Sequence, residues 1–280
     1  MSDNYTSWLT PGQIKNLFHE FNIRPRKTWG QSFLVDSMVV GKILSSLELQ
    51  SSDTVVEIGP GLGAVTLELA KRARQIVAYE IDSKLVRVLE TRADEQGLGE
   101  RIRIRNTNFL TTEPVANLGG LRRAPYKVFS SLPYSQTSPI LHKLICEHGH
   151  EWERGVFLMQ KEVVEKILQP PPQASYWFQF INMFYYISVP LKSITSAAFW
   201  PQPKVKSSLI KLERKITPPE IAPRRWSQFL HRVFQSPRKQ IRQVFDSKIL
   251  QALDISPTLR PGELTSEKIV SLAKKTFDRD

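Results

Sequence analysis

A short apolar segment that runs into three alternating glycines constrains this chain more than any other feature. Thr54–Ile58 is rich in β-branched residues and is followed at once by glycine, which is typical of a buried strand. The glycines, which let a backbone turn tightly and pass close to a ligand, are Gly59, Gly61 and Gly63. A helix predicted over residues 64–72 and a strand over residues 76–80 complete a β-α-β nucleotide-binding unit, in which Glu80 is placed to bond ribose hydroxyls.

This unit does not by itself select a cofactor. The same glycine pattern serves nicotinamide, flavin and S-adenosylmethionine enzymes, and it also occurs in ordinary tight turns. A nicotinamide dehydrogenase is one function that stays open at this point. A second motif further along the chain has to decide between these chemistries.

Strand and helix patterns alternate along the first three quarters of the chain. Five predicted strands are separated by helices, and two more are predicted over residues 185–189 and 205–212. This order predicts an α/β fold, a doubly wound Rossmann-like sheet with an antiparallel edge strand. Residues 101–105 alternate arginine with isoleucine, which indicates a strand with its arginines on one face. Asn108 follows that strand at its carboxyl end, where open α/β sheets bind ligands.

The hydrophobic pattern changes after a proline-containing linker. Beyond it the apolar residues recur at helical spacing, so we expect a small all-helical domain over residues 217–280. Residues 1–216 are expected to form the α/β domain. Its first 29 residues form a basic extension with an amphipathic helix over residues 11–21. Residues 30–34 are interpreted as a plain loop leading to the next helix.

The charge of the chain favours a polyanionic partner. The 280 residues carry a formal net charge of +12, and residues 214–280 supply +7 of it, with fourteen Lys/Arg against seven Asp/Glu. Enzymes that act on small metabolites rarely need such an excess of positive charge, whereas it strengthens binding to nucleic acid through counterion release. A solvated basic helix face is the alternative explanation.

Cysteine usage and hydropathy bound the cellular setting. Cys146 is the only cysteine, which excludes an internal disulfide and favours a reducing, cytoplasmic compartment. We expect no membrane association, because the N-terminus lacks a signal pattern and the apolar run over residues 178–191 is too short and too polar to span a bilayer. His148 and His150 have no third ligand near them in the sequence, so no metal site is expected.

Ser-Leu-Pro-Tyr at residues 131–134 follows the fourth predicted strand and faces the same crevice as the glycine turn. An adenine amine is a poor nucleophile because its lone pair is delocalised into the ring. A site that methylates it should offer acceptors to the amine hydrogens and a flat surface to the base. The Ser131 hydroxyl and the Leu132 carbonyl are candidate acceptors. Pro133 would stiffen the turn, and Tyr134 could stack on a flipped-out base. An ordinary strand-ending turn is the alternative interpretation.

Five stretches of the chain, in order, match motifs of one known family. Residues 30–36 match G-Q-N-F-L-x-D, residues 56–63 match V-E-I-G-P-G-x-G, residues 131–134 match N-L-P-Y, residues 158–163 match L-Q-K-E-V, and residues 198–207 match F-x-P-x-P-K-V-x-S. By these motifs the chain resembles the ribosomal RNA adenine N6,N6-dimethyltransferases, and its residues 236–244 and 260–273 are more similar to the small-subunit type than to the large-subunit type. The similarity extends from about residue 24 to the end of the chain.

The resemblance implies S-adenosylmethionine as cofactor and two successive methyl transfers to the exocyclic amine of adjacent adenosines near the 3′ end of small-subunit rRNA, coupled to ribosome biogenesis. The residues that would hold the cofactor are, by match, Ser32, Leu34, Glu57, Gly59, Gly61, Gly63, Glu80, Asn108 and Ser131. Those that would form the catalytic corner are Ser131, Leu132, Pro133, Tyr134 and Phe199. The implied partner is rRNA or the small ribosomal subunit, and we expect a monomer with a methyltransferase domain over residues 1–216 and an rRNA-binding domain over residues 217–280.

Three positions depart from the family's motifs. Ser32 replaces an asparagine, Asn108 replaces the aspartate that would hold the cofactor's adenine, and Ser131 replaces the asparagine of N-L-P-Y. All three remain small and polar, so methyl transfer stays the favoured function, with weaker cofactor binding. Two alternatives stay open: a non-catalytic RNA-binding assembly factor whose site has drifted, and the large-subunit methyltransferase type that confers macrolide resistance. A nicotinamide dehydrogenase leaves the Ser-Leu-Pro-Tyr motif and the basic helices unexplained.

Overall fold

The computed structural model describes residues 7–25, 31–112, 125–133, 135–217 and 220–278. Its helices are α1 (Pro11–Glu20), α2 (Ser37–Leu47), α3 (Thr66–Ala70), α4 (Ser83–Glu95), α5 (Thr137–His148), α6 (Lys161–Leu168), α7 (Tyr176–Phe184), α8 (Pro223–Phe234), α9 (Ser247–Ala252) and α10 (Ser266–Phe277). Its strands are β1 (Phe33–Leu34), β2 (Thr54–Ile58), β3 (Gln75–Glu80), β4 (Ile102–Asn106), β5 (Tyr126–Ser131), β6 (Trp152–Gln160), β7 (Tyr185–Ile194), β8 (Phe199–Trp200) and β9 (Ser207–Arg214). Within the described ranges, none of the helices is long and apolar enough to span a membrane.

Seven strands form one mixed sheet in the order β4-β3-β2-β5-β6-β9-β7. The strands from β2 to β6 pair in parallel, and β9 pairs with β6 in the antiparallel direction. This arrangement confirms the predicted doubly wound sheet, with its antiparallel strand toward one edge. β2 and β5 are neighbours in space, and Ile58 lies opposite Ser130 in their register. The carboxyl ends of these two strands therefore meet at the same edge of the sheet.

Two carboxylates fix where the helices that follow β1 and β3 begin. Asp36 accepts hydrogen bonds from two backbone N–H groups in the first turn of α2, and Asp82 accepts one from the first turn of α4. Such N-caps satisfy donors that a helix leaves unpaired and typically contribute about 1 kcal/mol each. The sequence pattern predicts these helices over residues 38–47 and 83–94, which is close to their observed limits.

α3 is shorter than the helix predicted over residues 64–72. Its regular turns span Thr66–Ala70, because the glycine turn continues as far as Gly63, whose φ is +84°. A left-handed conformation of this kind cannot continue into an α-helix. The short helix still contributes to the core, since Leu67 and Leu69 are fully buried.

A second, two-stranded sheet joins two distant motifs. β1 pairs with β8 in the antiparallel direction, so that Phe33 lies opposite Trp200 and Leu34 lies opposite Phe199. The sequence predicted only a loop at residues 30–34, because strands of two residues are too short to leave a recognisable period. The pairing brings the first and the last of the five motifs together.

The contacts divide the chain into two compact units. The α/β unit contains residues 1–161 and 188–213, and the helical unit contains residues 162–187 and 214–280. The predicted boundary at residue 217 differs from this division, because it assigned residues 162–187 to the α/β domain. These residues include most of α6 and all of α7, and α7 packs against α8.

Gln179 on α7 is central to the helical unit. The residue is buried, and its side-chain amide donates to the Leu264 carbonyl (3.3 Å) and accepts from the Ser266 hydroxyl (2.9 Å). The indole Nε1 of Trp226 donates to the Gln179 backbone carbonyl (3.2 Å). One side chain on α7 thus connects the segment before α10 with α10 itself.

We expect Gln179→Ala to lower the free energy of unfolding of the helical unit by about 1–3 kcal/mol, because two polar partners then lose their hydrogen bonds. Urea denaturation with hydrogen exchange of the α10 amides measures this loss. Gln173→Ala removes an exposed glutamine of the same unit and should change stability by less than about 0.5 kcal/mol. Equal stabilities of the two variants would contradict the central position of α7 in this unit.

Candidate active site

A cavity of about 300 Å³ opens at the carboxyl ends of the central strands of the α/β unit. The predicted cofactor residues that line it are Ser32, Leu34, Glu57, Gly59, Gly61, Glu80, Asn108 and Ser131, and the predicted catalytic residues that line it are Ser131, Leu132, Pro133 and Phe199. Tyr134 lies outside the described residues. The parallel strands account for the clustering, since their carboxyl ends share one edge of the sheet.

The glycine turn forms one wall of the cavity. Gly59 and Gly61 have φ values of +74° and +57°, which side chains disfavour. The Gly59 N–H donates to the Tyr79 carbonyl (2.9 Å), which fixes the turn against β3. A Cβ atom added at Gly59 would meet nothing within 4 Å, so the turn presents bare backbone to open space. This is the geometry that a closely approaching ligand requires.

Gly63 has a packing role that its motif did not predict. It is absent from the cavity wall, and a Cβ atom there would lie 2.5 Å from Cδ1 of Leu89 on α4. Its φ of +84° is also unfavourable for any other residue. Gly63 therefore allows close packing between the turn and α4, while its place beside the cofactor stays a prediction.

Glu80 is held in place by the backbone around it. One carboxylate oxygen accepts from the Gly61 N–H (3.1 Å) and the other from the Asp82 N–H (2.9 Å). Burial raises the pKa of Glu80, and these two backbone donors oppose the rise. Because a carboxylate can accept about four hydrogen bonds, the group retains acceptor capacity toward the cavity that it lines.

Glu57 is a buried acid in the same wall. It is 1% exposed, and its Oε2 atom has no hydrogen-bond partner among the described residues. Burial raises its pKa from the ordinary 4.5 to about 8, while the Thr66 hydroxyl opposes this rise and the charge of Glu80 adds to it. An orphaned polar atom at the edge of a cavity is a group that a polar ligand can satisfy.

Asn108 begins the short 3₁₀ turn Phe109–Thr111 at the far side of the cavity. Its side-chain oxygen accepts from the Leu110 N–H (3.0 Å), so the amide nitrogen, a donor, is its second polar atom. Lys143 on α5 holds this turn from behind, because its Nζ donates to the carbonyls of Leu110 (3.3 Å) and Thr112 (2.8 Å). Sequence reasoning missed Lys143, and nothing in its local pattern distinguishes it from an ordinary helix-surface lysine.

The Ser-Leu-Pro corner faces the glycine turn across the β2–β5 pair. The Ser130 hydroxyl donates to the Ile58 carbonyl (2.7 Å), which ties the two strand ends together just before Gly59. The Leu132 N–H donates to the Leu158 carbonyl (2.9 Å) and continues the pairing with β6. The Pro133 carbonyl accepts from the side chain and backbone at the start of α5. The corner is therefore rigid.

The small β1–β8 sheet closes another side. Phe199 is buried beside Leu34, and both line the cavity. The Ser32 hydroxyl donates to the Pro201 carbonyl (2.6 Å) and strengthens the same connection. Serine at this position, where the family has asparagine, thus has a structural partner of its own.

The N-terminal helix also reaches the cavity, which the sequence analysis did not predict. Leu9 and Ile14 line it, and Ile14 is buried. The ring of Phe18 lies 5.5 Å from the rings of Phe33 and Trp200. The spacing of these apolar residues indicated one buried helix face but not what that face would cover.

Groups of three or more His, Cys, Asp or Glu side chains that could hold a metal ion do not occur among the described residues.

The raised pKa of Glu57 predicts how stability depends on pH. The folded protein keeps a proton on Glu57 up to about pH 8, whereas the unfolded chain loses it near pH 4.5. The resulting destabilisation is absent below pH 4.5, grows as the pH rises, and is complete above about pH 8. Glu57→Gln carries no such proton and should be stabilised relative to the native chain by about 3 kcal/mol more at pH 8 than at pH 5.

Chemical denaturation of both proteins at the two pH values measures this difference. Glu90→Gln neutralises an exposed acid on α4 and should show a much smaller dependence on pH. An equal effect of Glu57→Gln at pH 5 and pH 8 would contradict the raised pKa.

Comparison with known proteins identifies close relatives of the chain. The family profile "Ribosomal RNA adenine dimethylase" matches residues 22–274. Ribosomal RNA small subunit methyltransferase A of Thermotoga maritima is 31% identical, over 91% of this chain and 87% of that protein. The protein of the same name from Geobacillus sp. is 30% identical, over 94% of this chain and 96% of that protein.

Solved structures support the same fold. A dimethyladenosine transferase from Plasmodium falciparum has a TM-score of 0.76 at 21% identity, covering 88% of this chain and 98% of that one. The 23S rRNA methyltransferase ErmE has a TM-score of 0.67 at 24% identity, covering 87% of this chain and 98% of that one. With the profile match over most of its length, the chain belongs to the ribosomal RNA adenine dimethylase family.

Proposed function

We propose that this protein transfers methyl groups from S-adenosylmethionine to the exocyclic amine of adenosine in small-subunit rRNA. The transfer would occur twice per base, on adjacent adenosines near the 3′ end, in the course of ribosome biogenesis. One observation carries the proposal: the glycine turn and the Ser-Leu-Pro corner open into one cavity, and the Ser130–Ile58 hydrogen bond joins the two strand ends that hold them.

The residues in the cavity fit the cofactor. Bare backbone at Gly59 accepts a close neighbour, and Glu80 has free acceptor capacity for ribose hydroxyls. Glu57 offers an unsatisfied oxygen, which suits a polar part of the ligand. Asn108 would face the adenine, and Leu34 would contribute apolar contact. When bound, S-adenosylmethionine supplies an electrophilic methyl group on a sulfonium centre.

The corner at residues 131–133 would receive the target adenine. The Ser131 hydroxyl and the Leu132 carbonyl would accept the two amine hydrogens and draw the nitrogen toward tetrahedral geometry. Phe199 lines the same cavity and would contact the base, together with Tyr134. No general base is needed, because the ammonium product is acidic enough to lose its proton to water.

The helical unit would bind the rRNA. Residues 214–280 supply a net charge of +7, and α8 carries exposed arginines at positions 224, 225 and 232. Such an excess favours phosphate through counterion release. The names of the relatives favour the small subunit over the large subunit as the source of this RNA.

A non-catalytic assembly factor is the second candidate. The Ser32 hydroxyl is engaged by the Pro201 carbonyl and the Asn108 oxygen by the Leu110 N–H, so two of the three departures from the family motifs already have structural partners. Such a factor would bind RNA without methylating it.

Ser131→Ala should lower the rate of methyl transfer by about 100-fold, because it removes one acceptor aligned with the reacting amine. The assay incubates the protein with labelled S-adenosylmethionine and immature small subunits, and then maps the methylated adenosines. Ser52→Ala, an exposed serine outside the cavity, should leave the rate unchanged. Methylation by the native chain that is indifferent to Ser131→Ala would contradict the assigned corner, and RNA binding without any methylation would favour the assembly factor.

Asn108→Asp should raise the affinity for S-adenosylmethionine by about tenfold. An aspartate can keep the bond to the Leu110 N–H and present a second, charged acceptor to the adenine amine, and charge-assisted hydrogen bonds are about twice as strong as neutral ones. Isothermal titration calorimetry of both proteins measures the change. Asn182→Asp adds the same charge in the helical unit and should have no effect, so an Asn108→Asp variant that binds no tighter than this control would refute the argument.

A further inference from the structure

Three aromatic rings in the helical unit form a column from its core to its surface. Phe180 is fully buried, and its ring stacks on that of Tyr176 with centroids 5.5 Å apart and planes 20° apart. The Tyr176 ring in turn lies 4.6 Å from the imidazole of His231, with planes 31° apart. His231 is exposed. This aromatic column therefore ends in a solvent-exposed imidazole.

The middle ring of the aromatic column is held in position. The Tyr176 hydroxyl makes a 2.9 Å hydrogen bond with the hydroxyl of Ser227, which is only 2% exposed. Trp177 packs edge-on against both Tyr176 and Phe180. A ring anchored at its tip and clamped at its side gives the exposed imidazole a fixed platform, and this lowers the entropy cost of stacking a ligand on it.

The outer end of the column lies in an open pocket. The residues that line the pocket are Tyr176, His231, Arg232, Phe234 and Gln235. Arg232 is exposed, and its guanidinium is held over the ring of Phe245 at 5.5 Å. Gln235 is exposed as well and carries both a donor and an acceptor. Aromatic faces, a cation and an amide are the groups by which proteins bind unpaired nucleotides.

We propose that the aromatic column binds one unpaired nucleobase of an RNA ligand, which stacks on His231 while Arg232 neutralises the adjacent phosphate. Charge decides between an RNA and a protein ligand, because the exposed face of α8 that carries His231 also carries Arg224, Arg225 and Arg232. The inference rests on the proposed rRNA substrate, but it names a second base-binding site in the helical unit, apart from the methyl-transfer cavity.

The test uses the full chain and two fluorescent probes, an oligoadenylate of 12 nucleotides and an abasic ribose-phosphate oligomer of the same length. His231→Ala should weaken binding of the oligoadenylate by about 5- to 100-fold, the range expected for the loss of one base–aromatic stack. Binding of the abasic probe should not change. His231→Phe keeps an aromatic face and should bind the oligoadenylate like the native chain.

The salt dependence of probe binding distinguishes the role of Arg232 from that of His231. Arg232→Gln should reduce the slope of log affinity against log salt concentration by about one for both probes, whereas His231→Ala should leave the slope unchanged. Thermal unfolding of each variant checks that the helical unit stays folded, as expected for substitutions of exposed residues.

The outcomes distinguish this inference from the proposed function. If the native chain methylates rRNA and binds the oligoadenylate, but His231→Ala binds it equally well, the base-stacking site is refuted and the methyltransferase function stands. An equal loss of affinity of His231→Ala for both probes would also refute stacking, because the abasic oligomer has no base. If the native chain binds neither probe, the inference is overturned together with the RNA-binding part of the proposed function. Unchanged RNA binding with loss of a protein partner would assign the pocket to that partner instead.

Discussion

The parallel pairing of β2 with β5 is the constraint on which the rest of the α/β unit depends. Residues separated by about 70 positions lie side by side, and Ile58 opposite Ser130 sets their register. The Ser130 hydroxyl closes this register with a hydrogen bond to the last carbonyl before the glycine turn. A slip of one residue would invert the faces of the strand and carry the Ser-Leu-Pro corner out of the cavity. The pairing of the sheet strands, more than any single side chain, thus defines where a methyl donor and a methyl-accepting base could meet.

The cavity built on this register holds two buried carboxyl groups of unlike character. Glu80 is fully oriented by backbone donors, while Glu57 leaves one oxygen without a partner among the described residues. Burial disfavours the charged form of both, and their mutual repulsion adds to the effect at Glu57. Two such acids close together are costly for folding, and proteins tolerate that cost mainly where a ligand or a reaction uses the groups. Under the proposed function, both acids would form part of the cofactor-binding site.

The sequence predicted the large elements of the α/β unit closely, because each has a strong local period. Thr54–Ile58 is the clearest example, since its β-branched run ends at the glycine that stops it. The β1–β8 pairing left no such period, and the N-terminal helix revealed its apolar face but not the cavity that the face covers. Gly63 shares the spacing of Gly59 and Gly61, yet its close packing against Leu89 on α4 became visible only in the structure. A local sequence pattern could not predict features that depend on contacts with residues far away in the sequence.

The grouping of residues 162–187 with the C-terminal helices also depends on contacts between residues far apart in the sequence. A proline-containing linker at residue 217 is visible in the sequence, whereas the contacts of Gln179 and Tyr176 with residues 51 to 87 positions later are not. The consequence is chemical as well as architectural. Without α7 the helical unit would be a basic surface that attracts any polyanion, because phosphate contacts carry no base recognition. With α7 it gains a column of stacked rings beside those cations, and rings are what allow a surface to respond to bases. If the helical unit binds rRNA as proposed, the grouping with α7 would let it respond to bases as well as to phosphates.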